Sequence, residues 1–433
     1  MTRVLFINLY YPPHHLGGYE ASCADVAVRL AERGHDVAVL TTDQRPDGAL
    51  DPPGERDGPV PVWRDLRAYL RSDGVLWSPS PIGRWRVERH NQRVLRRALE
   101  AQRPDVVSVW QFGALSLGLL TTIAERDIPA VYAVCDDWLS YSLRLDAWHR
   151  LMAHVPKRLR RVVRAVARVP TTVPDLGRTG PFLFVSELTR ARSRRDAPWS
   201  MDDTAIVHSG VDTRAFTSAS APPAAAGPER PWGGRLLFAG RYDPRKGIET
   251  AIRALAHLED EVLEIRASGH PEERARLEGI VRELGLDDRV EFATSQRTGL
   301  AQRYRNADVV VFPSEWEEPF GLVPLEAMAC ATPVVASGVG ASLPFLVDGV
   351  NCVRFEPGNP AALAGAVRRI AADDALRRRL VDTGMRTAQF FDVDRLADAF
   401  EAWHGAAASR FSAGRPSDRP FSAADVLRIG RDG

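Results

Sequence analysis

The feature that most constrains this chain is an alternation that runs twice. Short apolar runs at residues 4–8, 37–40, 106–109, 130–134 and 183–185 are separated by stretches with apolar residues at helical spacing, such as 21–33, which Gly34 closes. Strands alternating with helices predict βαβ units, and successive units of that kind predict a parallel sheet. The pattern stops at 217–231, a segment dominated by Ser, Ala and Pro, and restarts with runs at 236–239, 263–267, 290–292, 309–312 and 334–336. A small-residue and proline stretch between two patterned regions predicts a linker. The expected fold class is α/β, with two Rossmann-like parallel-sheet domains facing across a cleft. Such sheets bind ligands beyond the carboxyl ends of their strands, so the two domains are expected to share one site.

The 433 residues suit two domains of about 200 each. We expect an N-terminal, acceptor-side domain over 1–216. It carries insertions near 43–81, read as an irregular Pro/Gly/Asp-rich excursion, and near 140–179. The linker follows at 217–231, then a C-terminal donor domain over 232–409, whose last helix is expected to pack back on the first domain. The Gly/Ser/Arg/Pro-rich end, 410–433, is expected to be a poorly ordered tail.

Composition excludes some functions. The formal net charge is +1, which gives no overall field to draw the chain onto nucleic acid. Cys23, Cys135, Cys330 and Cys352 are far apart and match neither a metal-ligand nor a disulfide spacing. No apolar run approaches the roughly 18 residues of a membrane span, and a strand beginning at residue 4 leaves no room for a signal peptide. The expected location is the cytoplasm. Arginine supplies nearly all the positive charge; the only lysines are Lys157 and Lys246.

Two strings carry chemistry. The first runs from Phe312 to Ala329, leaving an apolar strand and entering a helix past Gly321. The N–H groups of a first helical turn suit a diphosphate, because that end of a helix carries roughly half a positive charge. Glu318 precedes this helix and Glu326 lies inside it, so two carboxylates can grip different parts of one elongated ligand through its hydroxyls. The second string, Phe238-Ala239-Gly240-Arg241-Tyr242-Asp243-Pro244-Arg245-Lys246-Gly247, follows the first strand of the second domain. Arg241 and Lys246 on that turn can neutralise a departing diphosphate without a metal. In isolation, glutamates near a helix start read as capping charges and the basic turn as a solvated one. A chain that uses arginine nearly everywhere nevertheless keeps a lysine at 246.

Together these strings resemble the retaining GT-B glycosyltransferases of family 4. The family signatures are a Gly-Arg-x4-Lys-Gly turn, matched by Gly240-Arg241 and Lys246-Gly247, and two glutamates separated by seven residues, matched by Glu318 and Glu326. Tyr11-Pro12-Pro13 with Gly17-Gly18-Tyr19-Glu20 is similar to the family's glycine loop. Ser209-Gly210-Val211-Asp212 resembles the turn before the interdomain linker, and Val347-Asp348-Gly349 with Asn351 a late loop of the second domain. The resemblance implies a nucleoside-diphosphate-sugar donor (UDP-, GDP- or similar), no cofactor and no metal. Arg241 and Lys246 would hold the diphosphate and Glu326 the ribose. Glu318, with the backbone of Phe320 and Gly321, would contact the sugar; Leu322 and Val323 open the helix at the donor. Gly17 and Gly18 would let the first loop approach the reacting carbon. Arg241, Lys246 and Glu318 are the catalytic candidates. Configuration at the anomeric carbon would be retained.

The pattern departs from the family in the first domain. Many relatives carry a histidine near the position of Trp110, and a His-Asp-x-Trp string where this chain reads Cys135-Asp136-Asp137-Trp138. Trp110, Asp136 and Asp137 are candidate sugar or acceptor contacts, and capping by the two carboxylates is an equal alternative. The expected acceptor is a small molecule, a lipid-linked molecule or a glycan. Alternative readings are a GT-B-fold sugar-nucleotide epimerase or pseudo-glycosyltransferase, and a non-catalytic nucleotide-sugar-binding partner. The basic amphipathic stretch at 157–168 suits peripheral membrane contact or a solvated face; from sequence alone the solvated or acceptor-side reading is favoured.

Overall fold

The computed structural model describes residues 1–14, 16–47, 59–217, 231–294, 299–410, 414–416 and 421–431. The chain divides into two compact units. One comprises Met1–His208 and Leu396–Pro420, the other Ser209–Arg395 and Phe421–Gly433.

The first unit holds a seven-stranded sheet: β1 (Arg3–Ile7), β2 (Asp36–Thr42), β3 (Val62–Leu66), β4 (Val106–Val109), β5 (Ala130–Val134), β6 (Phe182–Phe184) and β7 (Thr204–Ile206). Its order is β3-β2-β1-β4-β5-β6-β7, and every pairing is parallel. The second unit holds β8 (Arg235–Tyr242), β9 (Val262–Gly269), β10 (Val290–Thr294), β11 (Val309–Phe312), β12 (Val334–Ala336) and β13 (Val353–Arg354) in the order β10-β9-β8-β11-β12-β13, again parallel throughout. The central strands are near-continuous apolar runs because helices cover both faces; Val4, Leu5, Phe6 and Ile7 are fully buried. Both sheets reverse direction beside their first strand, between β1 and β4 and between β8 and β11. Chain leaving these strands opens onto the crevice where such sheets bind ligands.

Three expectations are corrected. The excursion at 43–81 contains an edge strand, β3, paired parallel with β2 from Val39↔Val62 onward; residues 48–58 of it lie outside the described residues. The first unit closes at His208 rather than at 216. Val211 N donates to Phe391 O at 2.8 Å and Val393 N to Val211 O at 3.0 Å, tying this segment to the second unit. The expected linker lies, at 218–230, outside the described residues. The presumed tail contains a helix, Ala423–Arg431. Phe421 anchors it on Phe390 and Phe391, with ring centroids 4.2 and 4.7 Å away, and Asp425 accepts from Ser422 N and Oγ at its start.

No helix among the described residues is long and apolar enough to cross a membrane.

Candidate active site

The second unit assembles both signature strings at its switch point. After β8, Asp243 accepts from Arg245 N at 3.0 Å and starts a single turn, Pro244–Lys246. Gly247 ends it at φ +68°, where a Cβ would lie 1.9 Å from Pro313 O. Only glycine tolerates both conditions. The loop after β11 is thereby pressed against the loop after β8. Glu315 N donates to Arg245 O at 2.8 Å, and the Thr250 hydroxyl donates to Glu315 Oε1 at 2.5 Å.

The two neighbouring cations of the turn take different partners. The Arg245 guanidinium bonds Asp243 at 2.6 Å and lies 4.5 Å over the Trp316 ring. That bond holds the Asp243 carboxyl below its ordinary range. Lys246 turns to the other loop, and its Nζ donates to Glu318 Oε1 at 2.8 Å. Arg241 comes no closer to a described carboxylate than 4.0 Å, at Asp243, and its side chain is 45% exposed.

Glu318 is almost fully buried. A loop the sequence reading did not single out holds it. Ala341 N donates to Glu318 O at 3.0 Å, and a Cβ on Gly340 would sit 2.5 Å from Glu318 N. The glycine-rich Gly338-Val339-Gly340 turn after β12 was its only sequence signal. Phe320 is buried between Phe345 and Phe391, at centroid distances of 5.2 and 5.6 Å, so its backbone rather than its ring can face a ligand. Gly321 caps the helix Leu322–Ala329 at φ +98°. Pro324 has no N–H, so the first-turn donors include Leu322 and Val323. One turn in, Glu326 Oε2 accepts from the hydroxyl of Tyr304 at 2.7 Å. Tyr304 is fully buried, and burial with the adjacent Glu326 charge keeps that hydroxyl protonated.

The structure thus gathers Lys246, Glu318, the Gly321 helix start and Glu326 in one unit, with Arg241 at its rim. It can neutralise a diphosphate with cations and helix N–H groups, and grip hydroxyls with carboxylates.

The first unit carries the remaining candidates. Gly17 is the N-cap of the helix Gly18–Glu32, in an extended conformation, and a Cβ there would meet nothing within 4 Å. The fold does not itself require glycine at 17, whereas a close ligand would. Asn8 Oδ1 joins the ends of β1 and β4 by accepting from Leu9 N at 3.0 Å and Gln111 N at 3.1 Å. Trp110 is corrected as a contact residue. Its ring is buried, stacked 4.9 Å from Phe400, and its Nε1 donates to Ser108 Oγ at 3.0 Å. His404 Nε2 lies 3.0 Å from the same hydroxyl. Burial presses His404 down to about 3, so the ring stays neutral beside the Ser108 hydroxyl. Asp136 accepts from Trp138 N at 3.0 Å and from Tyr141 OH at 2.8 Å, and burial lifts its carboxyl to about 6. Asp137 is more open, 3.8 Å from Arg192.

Comparison with known proteins accords with this geometry. Residues 16–215 match the family described as Glycosyltransferase Family 4, and residues 233–387 the family described as Glycosyl transferases group 1. An uncharacterized glycosyltransferase of Methanocaldococcus jannaschii is 38% identical over 414 residues, covering 89% of this chain and 93% of the relative. A D-inositol 3-phosphate glycosyltransferase of Xylanimonas cellulosilytica is 34% identical over 316 residues, covering 67% and 75%. Among solved structures, Anabaena HepE in complex with UDP and glucose superposes with a TM-score of 0.65 at 20% identity, covering 93% of this chain and 98% of that one. The fold is GT-B and the protein is an enzyme that transfers glycosyl groups. The chain belongs to glycosyltransferase family 4.

Proposed function

We propose that the chain moves a sugar from a nucleoside-diphosphate-sugar to a hydroxyl acceptor, with retention and without a metal. The observation that carries this reading is the Lys246–Glu318 pair at 2.8 Å beside the helix that starts after Gly321. An ammonium has three donors. One holds the buried Glu318; the others can take phosphate oxygens, so Lys246 would screen that carboxylate from the diphosphate. Arg241, with its exposed side chain, would meet the same phosphates. Charge developing on the leaving diphosphate would then be stabilised by fixed cations and helix N–H groups. Glu318 would bind sugar hydroxyls and Glu326 would take the ribose, while Gly17 and Gly18 would let a ligand approach their backbone closely. Asp137, the more open of its pair, is the better acceptor contact.

HepE was solved with UDP, which makes UDP the first nucleoside diphosphate to try. Relatives named for D-inositol 3-phosphate make a phosphorylated polyol the first acceptor to try. The wide cysteine spacing fits work in the cytoplasm.

The test is thermal stabilisation of wild type and Glu326→Ala by a panel of nucleoside diphosphates, with a chelator present. A ligand at a hundred times its Kd stabilises a fold by about 2.7 kcal/mol. One diphosphate should stabilise wild type and lose most of that effect in the variant. No stabilisation by any of them, in a folded sample, removes the donor assignment and favours a non-catalytic role.

A further inference from the structure

The basic stretch of the first unit forms the helix Lys157–Ala167, and no residue of it is buried. Arg160, Val163 and Ala167 are half-buried on its inner side. There Val163 and Ala167 pack on a small core of Tyr69, Val87, Trp148, Met152 and Val169. Leu159, Val162 and Val166 are exposed by 47, 59 and 77%. At about 100° per residue these three share an arc of roughly 60°, a continuous apolar stripe beside the packed face. The next flank carries Lys157, Arg158, Arg161, Arg164 and Arg168. Arg164 pairs with Glu125 at 2.7 Å. No acidic residue occurs between Asp146 and Asp175, although basic and acidic residues number 57 and 56 over the whole chain.

A second segment points the same way. Val75, Leu76, Trp77 and Ile82 are exposed by 55, 44, 41 and 63%. They flank the same small core. Trp77 N donates to Tyr69 O at 3.0 Å, and Trp85, one turn past Ile82, donates from Nε1 to Ala167 O at 3.0 Å. These two segments supply seven of the twelve exposed large hydrophobic side chains among the described residues. A helix serving only as a solvated cover would not keep Val162 and Val166 in water. Exposed apolar side chains gathered beside cations that, Arg164 apart, meet no carboxylate on their own helix or its flanks match a surface that is oily within and anionic at its rim.

We propose that the helix Lys157–Ala167 and the segment around Val75–Trp77 and Ile82 form a docking surface for an anionic lipid bilayer. The helix would lie in the headgroup layer, Leu159, Val162 and Val166 inserted and its cations on lipid phosphates. This inference stands apart from the donor site, which lies in the other unit.

The test is co-sedimentation of the full chain with phosphatidylcholine vesicles, with and without phosphatidylglycerol. Binding should require the anionic lipid and weaken as salt rises. Val162→Ser with Val166→Ser should cut partitioning about tenfold or more. Arg158→Gln with Arg161→Gln should cut it about fivefold per cation. All four side chains are exposed, so unchanged thermal unfolding will show the variants are folded. Equal binding to both vesicle types, no binding, or anionic binding untouched by the valine changes would overturn the proposal. So would capture on immobilised polyphosphate with no vesicle binding, which marks the face as a site for soluble polyanions.

Discussion

Each unit buries a glutamate, and the two are satisfied in opposite ways. In the second, Glu318 faces a cation, Lys246 Nζ, at 2.8 Å. In the first, Glu88 is fully buried and, among the described residues, its carboxyl meets two hydroxyls, Tyr69 OH at 2.7 Å and Ser116 Oγ at 2.5 Å. Burial, with the neighbouring Asp146 charge, pushes Glu88 up to about 8. Asp146 is itself raised by burial, although Leu117 N and His149 N bond to it at 2.9 and 2.8 Å. A buried carboxyl bonded to a lysine ammonium, as Glu318 is, is suited to gripping ligand hydroxyls. One without a cation keeps its proton and acts as a neutral strut, here joining the helix Pro81–Gln102 to the segments carrying Tyr69 and Ser116.

Three changes break or sharpen that contrast. The largest effect is expected from Lys246→Met, which leaves Glu318 as cationless as Glu88. Transfer should fall about 10²- to 10³-fold, and stability by roughly 3 kcal/mol, because the partner is left buried and unpaired. Adding Glu318→Gln should restore most of the stability and none of the transfer. Denaturant melts of the single and double variants decide, and a double variant no more stable than the single would dissolve the contrast. Glu88→Gln comes next. A carboxyl whose folded pKa exceeds its ordinary value adds stability that is fully present below about pH 4.5 and is lost as pH rises to about 8. The glutamine variant should therefore lose that downward slope of Tm with pH, and a slope unchanged from wild type would show that Glu88 is not its source. The smallest effect belongs to Tyr304→Phe, which removes a hydroxyl that bonds Glu326 and leaves an apolar ring of the same shape. Donor diphosphate should bind about tenfold more weakly, with melting little changed. Unaltered affinity would mean that Glu326 does not depend on Tyr304 for its orientation or does not touch the ligand.

The same contrast bears on what could be read from the sequence. Strands β8 and β11, and the loops after them, were legible because apolar runs, Gly247 and Gly321 are local signals. That Lys246 and Glu318 would touch was not; 72 residues separate them. Tyr304 carried no signal in the sequence, since nothing local distinguishes a tyrosine that orients a carboxylate from one that fills space. Strand β3 hid in a Pro/Gly/Asp-rich stretch because an edge strand needs only one partner. The helix Ala423–Arg431 hid in a polar tail because it rests on Phe421, whose contacts at Phe390 and Phe391 lie about thirty residues upstream. In the first unit the missing family histidine made Trp110 look available, whereas Phe400, far along the chain, covers it.

That covering has a consequence for how the protein is made. The core around Val4, Phe6 and Trp110 is completed by Leu396, Phe400 and Trp403. A ribosome that has finished the first 208 residues has made a sheet with one apolar face only partly covered, by the helix Gly18–Glu32, and almost the whole second unit must be synthesised before the rest of its cover emerges. Domains generally fold in order of synthesis, and open apolar surface is where nascent chains aggregate. The first unit is begun first and closed last, so a premature stop ahead of residue 396 would strand it unfinished however well the second unit folds.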